Sequence, residues 1–174
     1  MKNGFTLIEL VASIFIVGAL SAAILLNYRT GQNKAFLTRA AAAFETDIRR
    51  VQNLSVASSE FESSIPCGYG LHYVDNRTYW LYAGRLNGAA NCQSSDHNFQ
   101  SGADPVYQDR KIIEQRVVFR SVFSDIFFEP PDPTTYINNS RSVGASTAIE
   151  LCLEDDLTNC RNLIIDTAGR VVSQ

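Results

Sequence analysis

The chain has few of the residues that break helices or that build metal and catalytic sites. No proline precedes Pro66 in the 174-residue sequence, so the first third of the chain lacks the residue that most strongly disrupts helices. There are two histidines, His72 and His97, and no two of the four cysteines have the Cys-x-x-Cys spacing of a zinc site. A net charge of −3 gives no general attraction for nucleic acid. The composition therefore argues against a zinc site and against nucleic-acid binding through a high net positive charge.

Charge is scarce near the start of the chain. Residues 5–26 carry one ionisable side chain, Glu9, although the whole chain has 33 Lys, Arg, Asp and Glu residues. A membrane-spanning helix needs about 20 mostly apolar residues, so this segment is long enough to cross a bilayer. A carboxylate at the centre of a span costs ~2.5–3.5 kcal/mol to insert, and less nearer the interface. Glu9 therefore calls for a functional explanation.

Three interpretations of this segment are open. In a cleavable secretory signal, Lys2 would be the basic region and residues 19–23 the cleavage site, but Glu9 would then lie inside the apolar region. A plain anchor helix leaves Glu9 without a role. In the third interpretation, cleavage between Gly4 and Phe5 exposes an α-amine four residues from Glu9 on the same helix face. A related helix displaced by about one turn would bring its own amine level with this carboxylate, so Glu9 would set the register between subunits.

Residues 4–10, GFTLIEL, resemble the class III signal of type IV pilins and type II secretion pseudopilins. The resemblance implies cleavage after Gly4 by an inner-membrane prepilin peptidase, methylation of the Phe5 amine, and a role for Glu9 in filament assembly. It also implies a single-pass protein of the bacterial inner membrane, with its head outside the cytoplasm. Its partners would be the lipid bilayer, an inner-membrane assembly platform and the other subunits of a pilus or pseudopilus.

The charges that flank the apolar segment disagree with this orientation. Lys2 and the α-amine precede the segment, whereas three basic residues follow it, so the positive-inside rule places the N-terminus outside the cytoplasm. Those three residues are Arg29, Lys34 and Arg39. We adopt the orientation that the resemblance implies, because the margin in charge is small.

Beyond the apolar segment the hydrophobic pattern stays helical to about Ser58. Apolar residues recur at steps of three and four, which is typical of one helix face. They are Phe36, Ala40, Phe44, Ile48, Val51 and Leu54. We therefore predict a nearly continuous helix from Phe5, with a soft point at Thr30-Gly31 and with its second half packed on a sheet. The proline that usually kinks this helix in the resembled family is absent.

Strand patterns follow the helix. Residues 69–74 and 77–83, joined at Asp75-Asn76, predict a hairpin, and residues 84–105 predict a long surface loop. Other predicted strands, with a Pro-rich turn at residues 130–135, cover residues 111–119, 122–130, 147–153 and 161–167, and Gly169 turns the chain into a last strand. The fold class is α+β, a pilin-like long helix on an antiparallel head. The expected divisions are a leader (1–4), a membrane or filament-core helix (5–27), its amphipathic continuation (28–59) and a β-rich head (60–174).

The C-terminal part carries a second resemblance. Residues 117–130 and 162–172 are similar to the closing strands of GspH/FimT-like minor pseudopilins, which often end in an isoleucine-rich strand, a turn and Gly-Arg. In this chain those residues are Ile164, Ile165, Gly169 and Arg170. The resemblance implies a minor pseudopilin.

The four cysteines lie in the polar part of the chain. An even number of cysteines behind an exported segment indicates disulfides in an oxidising compartment. Three pairings are possible, and we favour the two local bridges, Cys67–Cys92 and Cys152–Cys160.

No catalytic or metal site is predicted, and neither is a cofactor. His72 lies in a predicted strand, and a disulfide is the favoured fate of Cys67 over a thiol nucleophile paired with His72. Residues 96–107 lack the calcium ligands of an EF-hand loop, because the twelfth position is a tyrosine. Asp155, Asp156 and Asn159 could hold a cation in a turn, although most such acidic turns are simply solvated. We therefore expect a structural protein and not an enzyme.

DNA binding is the alternative function. Some minor pilins of DNA-uptake systems bind DNA through basic residues near a C-terminal Gly-Arg, which here points to Arg161 and Arg170, with Arg141 as a further candidate. The second basic residue after Gly-Arg is missing, and beyond residue 26 the chain has 17 acidic against 14 basic residues. Because phosphate binding depends on clustered cations, DNA is the less favoured partner.

Overall fold

The computed structural model describes residues 6–131 and 134–174, apart from the side chains of residues 25–27. These residues form one long helix, α1 (Leu7–Val56), nine strands and a short 3-10 helix at Cys92–Ser94. The chain divides into two units, Met1–Ala35 and Phe36–Gln174, which we call the N-terminal unit and the head. The leader, residues 1–4, and Phe5 lie outside the described residues.

The head contains two antiparallel sheets. The five-stranded sheet has the order β3-β2-β1-β5-β6, and the four-stranded sheet has the order β4-β7-β8-β9. Their strands are β1 (Gly68–Tyr73), β2 (Thr78–Gly84), β3 (Val106–Lys111), β4 (Val117–Phe119), β5 (Ile126–Glu129), β6 (Thr134–Ile137), β7 (Ser146–Leu153), β8 (Asp156–Asp166) and β9 (Val171–Ser173). The α+β class with a long helix on antiparallel strands is confirmed.

The main core lies between the second part of α1 and the inner faces of both sheets. The buried apolar side chains of α1 follow steps of one, three and four residues, so they form one face of the helix. They are Leu37, Ala40, Ala41, Phe44, Ile48 and Val51. The predicted apolar face is thus largely correct, with Phe36 and Leu54 partly buried at its ends.

A second, smaller cluster lies on the opposite face of the five-stranded sheet. Successive strand residues point to opposite faces, so Leu81 enters the main core whereas Tyr82 enters the second cluster. Tyr82 packs there with Cys67, Phe127 and Tyr136. Gly84 makes room for this packing, because a Cβ at that position would lie 2.5 Å from the Phe127 ring.

The long segment after β2 covers this second cluster. Sequence patterns predicted a surface loop for residues 84–105, but Ser95, His97 and Asp104 are buried. Asp104 can be buried because its carboxylate is hydrogen-bonded within the segment. It accepts the Arg85 backbone N–H at 2.9 Å and the Gln100 backbone N–H at 2.8 Å. The segment is therefore a folded layer of the head, and we call residues 85–104 the covering loop.

One strand prediction was wrong. The single strand predicted for residues 111–119 is two strands in different sheets, because β3 ends at Lys111 and β4 begins at Val117. β3 and β6 were not predicted, because β3 is mostly polar on both faces and β6 overlaps the turn predicted for residues 130–135. The division of the head into two sheets was not predicted either.

A buried carboxylate ties α1 to the five-stranded sheet. Asp47 is 2% exposed. Its Oδ1 and Oδ2 accept hydrogen bonds from the Arg110 guanidinium at 2.8 Å each, and Oδ2 also accepts the Tyr79 hydroxyl at 2.5 Å. Burial and then the Asp47 carboxylate raise the pKa of Tyr79, so this phenol remains a donor at neutral pH. Bidentate, charge-assisted hydrogen bonds of this kind are strong, but removing one partner leaves a buried charge unpaired and destabilises the fold.

We predict that Asp47→Asn destabilises the head. The variant leaves the Arg110 guanidinium without its charge partner, which is expected to cost about 2–3 kcal/mol, since Arg110 keeps some contact with water. Urea unfolding of the full chain in detergent, followed by the fluorescence of Trp80, measures the change.

Glu45→Gln is the matched control for this variant. Glu45 lies on the same helix, but its ion pair with Arg49 is 3.6 Å long and exposed. The control should change the free energy of unfolding by less than about 0.5 kcal/mol. Equal effects of the two variants would contradict the role of Asp47.

Candidate assembly site

The first turn of α1 is closed by two polar side chains. Thr6 directly precedes the helix, and Glu9 is its third residue. The Glu9 Oε2 atom accepts hydrogen bonds from the Thr6 backbone N–H at 3.1 Å and from the Thr6 hydroxyl at 2.8 Å. In return the Glu9 backbone N–H donates to the Thr6 Oγ1 atom at 3.4 Å. This is a capping box, in which a threonine and the glutamate three residues later satisfy each other's backbone groups.

The capping box changes the account of Glu9. From the sequence, Glu9 was predicted to have no partner within its own chain, because the apolar segment contains no basic side chain. The structure provides neutral donors instead, and the helix N-terminus also favours a negative charge. The spacing Thr-x-x-Glu was the signal that could have predicted this, and it was missed. Gly4 and Phe5, the predicted cleavage and methylation site, lie outside the described residues.

The rest of the N-terminal unit is an apolar helix surface. The large apolar side chains described between Leu7 and Ile24 are 53–82% exposed within this chain. By length and composition this part of α1 is a candidate membrane span. Two serines interrupt it, and each hydroxyl donates to a carbonyl one turn earlier, Ser13 to Glu9 at 2.7 Å and Ser21 to Val17 at 2.8 Å. Their polar groups are thereby satisfied inside the helix.

The head is closed by two disulfides. Cys67 is joined to Cys92, and Cys152 to Cys160, which are the two local pairings that the sequence analysis favoured. The first bridge fastens the covering loop to the start of β1. The second crosses from β7 to β8 at directly opposed positions. By loop-closure entropy the bridges contribute roughly 2–4 kcal/mol each.

Both histidines are held in the head by hydrogen bonds and ring contacts. The Nδ1 atom of His72, in β1, lies 2.8 Å from Asp125 Oδ1, and its ring contacts Phe99. His97 is buried and stacks on Tyr136 with ring centroids 3.6 Å apart. Cys67, the nucleophile that was considered beside His72, is occupied by its disulfide. Both histidines therefore serve as packed, hydrogen-bonded residues of the head.

The acidic turn between β7 and β8 is engaged by protein groups. Asp155 Oδ2 lies 2.6 Å from Arg116 Nη2. The Thr158 hydroxyl donates to Asp156 and, with the Thr158 backbone N–H, holds the pKa of that carboxyl below its usual value. Asn159 lies in β8 without joining a ligand set. Within residues 6–131 and 134–174, no group of three His, Cys, Asp or Glu side chains is placed to hold a metal ion.

The structure does not bring the two predicted DNA-contact arginines together. Arg170 Nε lies 3.1 Å from Asp166 Oδ2, and the Arg170 backbone N–H and guanidinium hold the pKa of Asp166 below its usual value. Arg161 lies five positions from Asp166 along β8, ~17 Å at strand spacing, and its Nε donates to Ser173 at 2.9 Å. Arg141 lines a surface cavity with Asp166 and not with Arg161. Arg161 thus lies apart from the other two arginines, and Arg170 is paired with a carboxylate.

Comparison with known proteins identifies the N-terminus. Residues 1–25 match the family model described as the prokaryotic N-terminal methylation motif. The match covers the N-terminal 25 of 174 residues, so it shows the signal that is typical of type IV pilin and pseudopilin precursors and leaves the rest of the chain unassigned. No curated protein and no solved structure matched the chain. The GspH/FimT-like assignment therefore stays a prediction.

We predict that the protein purified from cells with a prepilin peptidase begins at Phe5. The match covers the cleavage site, and the expected N-terminus is Phe5 carrying one added methyl group. Intact-mass and N-terminal peptide mass spectrometry measure this directly. A Gly4→Leu variant is the control and should keep residues 1–4. A wild-type chain that retains its leader, or that has lost the apolar helix, would contradict the assignment.

Proposed function

We propose that this protein is a minor pilin or pseudopilin, a non-enzymatic structural subunit of a type IV pilus-like or type II secretion filament. The observation that carries the proposal is the methylation motif joined to an apolar helix whose first turn contains Glu9. Before assembly the subunit is anchored in the bacterial inner membrane by this helix, and its head lies outside the cytoplasm. It then enters the filament through contacts with the assembly platform and with other subunits.

Glu9 has a defined task in this proposal. Both described hydrogen bonds from Thr6 fall on Oε2, so Oε1 is the atom that a positive group of another chain would reach. Cleavage after Gly4 creates such a group, the α-amine of Phe5. Thr6 lowers the cost of the charge while the subunit is alone in the membrane. A neighbouring amine would neutralise it, and only one axial offset between helices allows that contact.

The charges of the head favour a protein partner over DNA. Acidic residues outnumber basic ones beyond residue 26, and Arg170 is paired with Asp166. A DNA-binding role would need several free cations on one face. The structure therefore favours neighbouring subunits or cargo proteins as partners of the head, over the DNA-uptake alternative.

We predict that Glu9→Gln separates the two roles of this residue. Glutamine at the third helical position can still complete a capping box, but it carries no charge. The variant should insert in the membrane and be cleaved after Gly4. Its incorporation into filaments should fall by more than about tenfold, because losing one partner of a buried charge pair costs roughly 2–5 kcal/mol. Immunoblots of sheared filaments and of membranes measure both pools.

Thr6→Ala is the complementary variant, since it keeps the charge and removes the cap. Loss of a cap costs about 1 kcal/mol, so its incorporation should fall less than that of Glu9→Gln. Thr6→Ser preserves both groups and serves as the control. Normal incorporation of Glu9→Gln would refute the register role of the charge, whatever Thr6→Ala does.

A further inference from the structure

The Cys67–Cys92 bridge lies at the wall of an open cavity in the head. This cavity has a volume of about 620 Å³ and is lined by both half-cystines together with Pro66 and Leu86. Cavities of this size accept small organic molecules. Cys67 is only 4% exposed, whereas Cys92 is partly exposed at the start of the short 3-10 helix. A reagent that enters the cavity therefore meets Cys92 first.

The second bridge has a different setting. Cys152 is 0% exposed and lies in the four-stranded sheet between Val118 of β4 and Cys160 of β8. The β7–β8 ladder continues for six residue pairs beyond it, from Leu151 to Ser146. Cys160 is partly exposed, as Cys92 is, but both half-cystines of this bridge are paired strand residues, whereas the Cys67–Cys92 bridge joins the start of β1 to a loop that lines a cavity.

The covering loop has anchors that do not involve sulfur. Asp104 binds two backbone N–H groups inside the loop. The Tyr82 hydroxyl donates to the His97 carbonyl at 2.6 Å, and Asn139 Oδ1 accepts the His97 backbone N–H at 3.0 Å. Asp125 Oδ2 accepts the Phe99 backbone N–H at 2.8 Å. These bonds hold the loop on the sheet when the bridge is open, so both redox states of the bridge can be folded.

We propose that Cys67–Cys92 is a thiol–disulfide exchange site for thiols of low molecular mass, with Cys92 as the residue attacked. A thiolate enters the cavity and bonds to Cys92 Sγ. The Cys67–Cys92 S–S bond breaks, and Cys67 leaves as a thiolate that takes a proton from solvent. A second thiolate attacks the mixed disulfide and releases Cys92, so that two small thiols are oxidised to one disulfide for each bridge reduced.

Glutathione is the probe that tests this site. The full chain in detergent is incubated with reduced glutathione, quenched with iodoacetamide and analysed by peptide mass spectrometry at successive times. Glutathione should appear on Cys92 and the alkyl group on Cys67. This reaction should be at least ~tenfold faster than any reaction at Cys152 or Cys160, because Cys92 lies in a loop at the cavity wall, whereas Cys152 and Cys160 are held between paired strands.

Two double variants complete the test. Cys152→Ser with Cys160→Ser should leave the rate at Cys92 unchanged. Cys67→Ser with Cys92→Ser should keep the far-ultraviolet circular dichroism and the Trp80 emission of the folded head, as expected if the loop anchors suffice. The proposal is overturned if glutathione is found on Cys67, if Cys152 or Cys160 reacts as fast, or if opening the first bridge unfolds the head.

Discussion

The cost of placing a carboxylate in an apolar helix is the constraint on which the rest of this account depends. Glu9 is the single charged side chain of residues 5–26, and a span with a leucine there would insert more easily. The capping box with Thr6 reduces this cost inside the chain without neutralising the charge. The residual charge then favours any arrangement that brings a cation to Glu9. In the function that we propose, cleavage creates an N-terminal amine, and assembly is the arrangement that brings this amine to Glu9.

The head follows a comparable design with different chemistry. Asp47 is also a carboxylate on α1, but its partners Arg110 and Tyr79 come from the sheet of the same chain. Its charge is therefore satisfied on folding, whereas we propose that the charge of Glu9 is neutralised by another subunit. Of these two carboxylates of the helix, Asp47 is paired within the head, and Glu9, near the N-terminus, has no cationic partner among the described residues. This difference separates the folding of the subunit from its assembly.

Much of the architecture could be predicted from local patterns. The apolar face of α1, the β1–β2 hairpin around Asp75 and the β7–β8 hairpin all have strong periodicity or turn signals, and the structure contains them. Pairing Cys67 with Cys92 required only the assumption that local bridges form. The edge strand β3 was missed because its residues are polar on both faces, and edge strands need little hydrophobicity.

The features of the site were harder to predict because they depend on distant or easily overlooked partners. The burial of His97 and Asp104 depends on contacts with β2 and with Asn139 that no local pattern encodes. Arg170 resembled a free cation until the β8–β9 turn placed Asp166 against it. The capping box of Thr6 and Glu9 differs from these features, because its Thr-x-x-Glu spacing is local and is visible in the sequence.

The most direct test is the distance between Glu9 and the N-terminal amine of another subunit in the assembled filament. Filaments can be built from a mixture of chains, one population labelled with ¹³C at the glutamate carboxyl and the other with ¹⁵N at phenylalanine. Solid-state NMR should then detect a contact of about 4 Å between the two labels, the range of an ion pair. A Glu9 carboxyl that shows no coupling to the amine of a second chain, and that stays bonded to Thr6 alone, would contradict the account.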